Sequence, residues 1–191
     1  LIRQLGMTVM DLGLVADNAD ATQRALLRGA EEADCIISSG GVSVGEEDHV
    51  KAAVEELGGL DFWRIAIKPG KPLAFGNVAG VPFFGLPGNP VSSFVTFLLI
   101  ARPYLLKLQG TTDTAMRHVW ARASFDRAAG NRREYLRVQL NDNGKAELAA
   151  TLYPHQGSGV MSSVSWANAL AEQEIDQVIS TGDWLKVFPL S

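Results

Sequence analysis

From residue 7 to about 109, apolar positions switch repeatedly between helical spacing and short buried-strand runs, as in a parallel α/β layer fold. Met7 to Leu14 is a β-rich run, and Ala21 to Ala33 has helical spacing through Leu26, Leu27 and Ala30. Cys35 to Ser38 reads as a short buried strand, and Glu46 to Leu57 as a helix ended by Gly58-Gly59. Phe62 to Ile67 and Pro82 to Gly85 predict further strands, and Val91 to Leu108 a long apolar helix kinked at Pro103. At the start, Leu1 to Gly6 reads as the last turn of a helix with a glycine C-cap, so an upstream portion is expected.

Beyond Gln109-Gly110-Thr111-Thr112 the pattern changes to short alternating strands, so a second domain is expected over 111–191 after a first over 1–110. Tyr135 to Leu140 sets Leu136, Val138 and Leu140 on one face and Tyr135, Arg137 and Gln139 on the other, the period of a half-buried strand. Asp142-Asn143-Gly144 supplies a tight turn into a strand over Lys145 to Tyr153. Runs near Gln173 to Ile179 and Trp184 to Phe188 complete a small antiparallel barrel or sandwich. The fold class expected is therefore α/β, three-layered on a mostly parallel sheet, followed by a small antiparallel β-barrel-like domain.

Composition narrows the function. A net charge of −4 over 191 residues, with no Lys/Arg run, provides no basic stripe for nucleic acid. No apolar run reaches the ~18 residues of a membrane span and no signal peptide is visible, so a cytoplasmic protein is expected. The single cysteine, Cys35, lies in an apolar stretch and reads as a small buried residue rather than a nucleophile. His49, His118 and His155 lack metal-ligand spacing.

Candidate chemistry concentrates in three loops. Ser38 to Asp48 leaves a strand and enters a helix, where Gly40, Gly41 and Gly45 let backbone amides approach phosphate and Ser39 and Ser43 offer hydroxyl donors. Glu46, Glu47 and Asp48 complement the dipole of the following helix, but beside an anion they also suggest a bridging Mg²⁺, with Asp48 as its ligand. Asp17, following the expected first strand, is a second acid at the same sheet edge or an N-cap. Lys68-Pro-Gly-Lys-Pro72 holds two cations, Lys68 and Lys71, in a stiff loop with no neighbouring acid in sequence, a site for an oxyanion or a solvated surface turn. In Gly85-Leu-Pro-Gly-Asn-Pro-Val-Ser92, Asn89 as N-cap and Pro90 at the first helical position leave first-turn amides and the Ser92 hydroxyl for an anion, with Pro87 and Gly88 shaping the approach. Three such loops imply a phosphate-rich or oxyanion-rich ligand with a metal, and residue chemistry alone goes no further.

Together, the motifs Ser39 to Asp48, Lys68 to Pro72 and Gly85 to Ser92 resemble the molybdopterin molybdenumtransferases, including the catalytic end of gephyrin. The resemblance continues through Arg132-Arg-Glu-Tyr-Leu-Arg137 and His155-Gln-Gly-Ser158, covering nearly the whole chain. It implies insertion of molybdenum into adenylylated molybdopterin with Mg²⁺ assistance, molybdate replacing copper on the dithiolene and AMP being released. By the same resemblance Asp17, Asp48, Lys68 and Lys71 are catalytic positions, and Lys71, Pro72, Ser92, Arg137 and Ser158 correspond to the molybdate site. It further implies two N-terminal domains outside this chain, a homodimer in the full-length protein, and a molybdopterin adenylyltransferase as a candidate partner; the present portion alone is expected to be inactive. Arg64 departs from the pattern, since relatives often carry Lys there. Two other readings stand beside this one, a molybdopterin adenylyltransferase and a scaffold module that binds a partner through its β-domain.

Overall fold

The computed structural model describes residues 1–42, 49–142, 144 and 147–190, without the side chains of residues 62 and 63. The chain divides into two compact units, the first formed by Leu1–Ile65, Gly70–Asn89 and Thr96–Thr114, the second by Ala66–Pro69, Pro90–Val95 and Ala115–Ser191.

The first unit is a three-layer α/β sandwich. Helix α1 (Ala19–Glu32) starts where the Asn18 side chain accepts a hydrogen bond from the Ala21 N–H and Asp20 complements the positive helix end. Its buried residues Thr22, Leu26 and Gly29 recur at helical spacing. Gly29 admits Ile36 so closely that a Cβ there would lie 3.1 Å from it. Strand β1 (Ile36–Ser39) follows, and helix α2 (His49–Leu57) runs directly into β2 (Gly58–Arg64). Strands β4 (Pro72–Val78) and β5 (Val81–Leu86) complete a four-stranded sheet in the order β1-β5-β4-β2, while β3 (Ile67–Lys68) belongs to the other unit.

Alternation along β4 and β5 separates the two faces of this sheet. Ala74, Val78 and Phe83 join Leu26, Val42, Ala53 and Val54 in one core cluster. On the opposite face the Phe75 and Phe84 rings lie 5.7 and 5.1 Å from the ring of Tyr104 in helix α4 (Arg102–Leu108). Helix α3 (Pro90–Thr96) leads to α4 through a π-helical turn, Phe97–Ala101, in which the Arg102 N–H bonds the Phe97 carbonyl. The wider turn answers Pro103, which has no N–H to donate and whose ring crowds the preceding turn.

Several expectations are corrected here. Only β1 and β5 pair in parallel; β5–β4 and β4–β2 are antiparallel, so the sheet is mixed rather than mostly parallel. The cause is the two-residue connection Ala79-Gly80, both at positive φ, which folds β4 back on β5 as a hairpin where a parallel pair would need a long crossover. Met7 to Leu14 forms no strand. Gly13 adopts φ 72 with its N–H bonded to Asp11, and Leu14 is fully exposed, so the segment lacks both a ladder partner and a buried face. Strand β2 starts at Gly58, and the two glycines expected to end the preceding structure pack within it against β4, where a Cβ at Gly58 would strike the Asn77 carbonyl. Strand β4 itself was not expected, because Pro72, Gly76 and Asn77 are all poor strand residues. Contrary to the expected lack of a long apolar run, Pro90–Leu108 is long and apolar enough to cross a membrane by length and composition. It packs Tyr104 on the sheet and carries Arg102 and Lys107.

The second unit is a closed five-stranded barrel. Its strands β6 (Val119–Ala123), β7 (Arg133–Asp142), β8 (Leu148–Leu152), β9 (Ala169–Gln173) and β10 (Trp184–Pro189) run in the order β7-β8-β6-β10-β9, and β9 returns to β7. All pairs are antiparallel except β6–β8, so the expected all-antiparallel barrel has one parallel seam. Strand β3 adds to β7 in parallel from outside the ring. Leu136 and Val138 point into a core with Ala121, Ala150, Ala171, Ile179, Leu185 and Val187, as their spacing required. The strand expected near Gln173 to Ile179 lies earlier, at Ala169–Gln173, because small apolar residues fill the inner positions there.

Phe83 is fully buried at the centre of the helix-facing core. Phe83→Ala is expected to destabilise the α/β unit by about 3–5 kcal/mol through lost burial and a residual cavity, measured as the shift of its transition in chemical denaturation.

Candidate functional site

Two of the three glycine-bearing loops meet at the carboxyl ends of the parallel pair. Register places Ser38 opposite Gly85 and Ser39 opposite Leu86, so both strands deliver their loops at one height. The Gly40 N–H donates to the Leu86 carbonyl at 3.0 Å, and a Cβ on Gly88 would lie 3.6 Å from the Gly40 Cα. Gly40 and Gly41 adopt φ 87 and 67, and any side chain at Gly41 would strike Val50. Ser39, Gly88 and Asn89 are exposed there, Pro87 is buried, and Pro90 is the first residue of α3. This crevice beyond the strand ends has the geometry in which open sheets hold anionic ligands. Ser43, Gly45, Glu46 and Asp48 lie outside the described residues.

Lys68 and Lys71 fall in different units. Lys71 is exposed, and its carbonyl accepts from the Ile65 N–H at 3.1 Å as Pro72 begins β4. Lys68, expected to have no acid beside it, donates to Glu134 Oε1 at 2.7 Å. Spacing along the chain hid this pair, because β3 reaches β7 across 66 residues. Arg127 holds the other Glu134 oxygen and also donates from Nε to Gln173 Oε1 at 3.0 Å. Asp17 is exposed one residue before the Asn18 cap, so it neither caps α1 nor leaves a strand end as expected. Among the described residues no group of three or more His, Cys, Asp and Glu is placed to hold a metal ion.

The most informative residue is Arg137. Its strand turns it to the polar face as expected, yet the segment 153–163 covers it and only 1% of it is exposed. The guanidinium donates to Ser163 Oγ (3.2 Å), the Tyr135 carbonyl (3.3 Å) and the Gly157 carbonyl (3.3 Å), all uncharged acceptors. Burial first, and then the charge of Arg127, push its pKa down to about 10 while Glu134 pulls it up; the group stays protonated at neutral pH. Ser158 follows Gly157, and its carbonyl accepts from the Val91 N–H at 3.2 Å. Within the barrel unit Gly157, which accepts from Arg137, thus precedes Ser158, and Val91, which donates to Ser158, precedes the buried Ser92.

Cys35, expected to be buried, is half-buried; burial and then Asp34 push its thiol up to about 11, where little nucleophilic thiolate exists. Sequence reasoning missed Glu134, Arg127, Gln156 and Ser163. Glu134 carried a signal, because it shares the inward parity of Leu136 and Val138 and a carboxylate in that row requires a partner. Burial raises its pKa, but hydrogen bonds from Lys68 and Arg127 more than offset this, leaving it below the ordinary value. A lowered carboxylate pKa stabilises the fold above the unfolded-state pKa, and that contribution is lost as pH falls through the folded-state value. Glu134→Ala is expected to cost about 1–3 kcal/mol at neutral pH, discounted because Lys68 is half-exposed, and to flatten the acid limb of a stability–pH profile measured by urea denaturation.

Residues 1–107 match the family model described as probable molybdopterin binding domain, and residues 121–190 match the MoeA C-terminal region (domain IV). The molybdopterin molybdenumtransferase of Haemophilus influenzae is 39% identical, aligned over all of this chain and 48% of its own length. The molybdenum cofactor synthesis protein cinnamon of Drosophila melanogaster is 34% identical over 89% of this chain and 29% of its own length. Among solved structures, a molybdopterin biosynthesis MoeA protein from Pyrococcus horikosii aligns over all of this chain and 46% of its own, with 28% identity and a TM-score of 0.83. The chain thus spans about half the length, or less, of the relatives it matches. With the matched model covering more than half of its length, the chain belongs to the family of the probable molybdopterin binding domain, joined here to a MoeA C-terminal region.

Proposed function

We propose that this chain is the C-terminal half of a cytoplasmic, homodimeric molybdopterin molybdenumtransferase, which inserts molybdenum into adenylylated molybdopterin and releases AMP. The observation that carries this reading is Arg137, a buried cation whose hydrogen-bond acceptors among the described residues are uncharged and include Gly157, the residue before Ser158. A guanidinium held in this way keeps its charge for an incoming tetrahedral dianion, and serine hydroxyls add orientation. The paired loops at the ends of β1 and β5 offer backbone amides for the phosphates of the adenylylated substrate. Lys71 supplies an exposed cation in the α/β unit, and Lys68, shared with Glu134, a second in the barrel unit.

The described residues do not by themselves make a magnesium site, because Asp17 stands exposed and no carboxylate cluster accompanies it. Mg²⁺ is assigned to Asp48, whose carboxylate would hold an ion that neutralises charge on the phosphate oxygens. A molybdopterin adenylyltransferase is the natural partner on chemical grounds, since it makes the adenylylated substrate. The match to a C-terminal β-region over 121–190 favours the transferase over an adenylyltransferase of the α/β layer alone.

In the full-length protein, adenylylated molybdopterin plus molybdate is expected to yield AMP, whereas molybdopterin plus ATP yields no pyrophosphate. The reverse result assigns the adenylyltransferase reaction, and turnover of neither pair assigns a scaffold. Asp48→Ala is expected to abolish AMP release with an unchanged circular dichroism spectrum; a wild-type rate in that variant removes Asp48 from the reaction.

A further inference from the structure

We infer that Gln156 is a positioning residue for molybdate binding, acting through Arg137; the inference rests on the oxyanion reading of Arg137 given above. Gln156 is half-buried and uses its whole amide on backbone. Its Oε1 accepts from the Arg137 N–H at 3.0 Å, and its Nε2 donates to the Arg137 carbonyl at 3.0 Å and to the Tyr153 carbonyl at 2.9 Å. The side chain thereby pairs with β7 at Arg137 as a residue of a neighbouring strand would, just after the Tyr153 N–H has bonded the same Arg137 carbonyl.

The consequence lies one and two residues further on. With Gln156 clamped, the Gly157 carbonyl meets Arg137 Nη2 at 3.3 Å and the Ser158 carbonyl meets the Val91 N–H at 3.2 Å. On the other side Ser163, itself fully buried, accepts from Arg137 Nε and donates to the Val160 carbonyl at 2.6 Å, closing the segment over the guanidinium. Among the described residues the acceptors of Arg137 are uncharged, so its orientation is set by these backbone carbonyls and by Ser163. Releasing the Gln156 amide frees the Gly157 carbonyl, and both the guanidinium and Ser158 lose their fixed spacing. Gln156 need not touch the anion for this to weaken it.

The test is calorimetric titration of molybdate into the full-length protein and its Gln156→Met, Arg137→Ala and doubly substituted variants, with Kd for adenylylated molybdopterin and thermal midpoints measured alongside. Methionine keeps the length of the side chain and removes all three hydrogen bonds. Gln156→Met is expected to weaken molybdate about tenfold, the scale of one or two net hydrogen bonds, and to leave adenylylated molybdopterin affinity within about twofold. The double variant is expected to bind molybdate no more weakly than Arg137→Ala alone, because the two act as a unit. Gln156→Glu, which keeps the acceptor and loses both donations, serves if the methionine variant does not fold, and the same selective loss is expected. Wild-type molybdate affinity in Arg137→Ala overturns the oxyanion reading and the inference with it. Loss in Arg137→Ala beside wild-type affinity in the Gln156 variants overturns the inference alone, as does an equal weakening of both ligands with a lowered melting temperature.

Discussion

A guanidinium removed from water must be met by acceptors at nearly every donor, and in the barrel this demand organises the segment that follows β8. Arg137 sits on the outward face of a strand, a position that sequence period alone leaves to solvent. Gly157, Ser163 and the backbone at Tyr135 accept from it, and Gln156 locks the covering loop to the strand. No carboxylate takes part in that set, so the burial lowers the arginine pKa without neutralising its charge. Such an arrangement is poor for stability by itself, since a desolvated cation gains most from an opposite charge.

Glu134 shows the opposite solution three residues away on the same strand. There a buried carboxylate is answered by two cations, Lys68 and Arg127, and its pKa falls. Along one strand, then, one charge is met by opposite charges at hydrogen-bond distance, whereas the other donates to uncharged acceptors among the described residues. Lys68 consequently has two calls on it, as a strut between β3 and β7 and as a candidate cation for substrate.

In the α/β unit the equivalent constraint is the single parallel pair, β1 with β5. It brings the turn after each strand to the same end of the sheet, so Gly40 can bond Leu86 and lie against Gly88. The remaining strand pairs are antiparallel, and the hairpin at Ala79-Gly80 makes them so. The crevice therefore depends on one crossover rather than on a uniformly parallel sheet.

Much of this was legible in the residues. Helical spacing marked α1 and α2, period-two alternation marked β7, and the glycine-bearing loops were recognisable as places where backbone approaches a ligand, because these signals are local and depend on side-chain type and spacing. Strand β4 was not legible, since Pro72, Gly76 and Asn77 disguise it and only pairing on both sides makes it a strand. Met7 to Leu14 failed in the other direction, with strand-forming residues that meet no ladder partner. By itself the sequence determined the element types, the inward rows and the chemistry available in each loop. Tertiary structure alone decided that Lys68 meets Glu134, that Arg137 is buried against uncharged acceptors, and that the turns after β1 and β5 adjoin. Each of these depends on contacts between residues far apart in the chain, where charge, burial and hydrogen bonding are set by neighbours that no local pattern names.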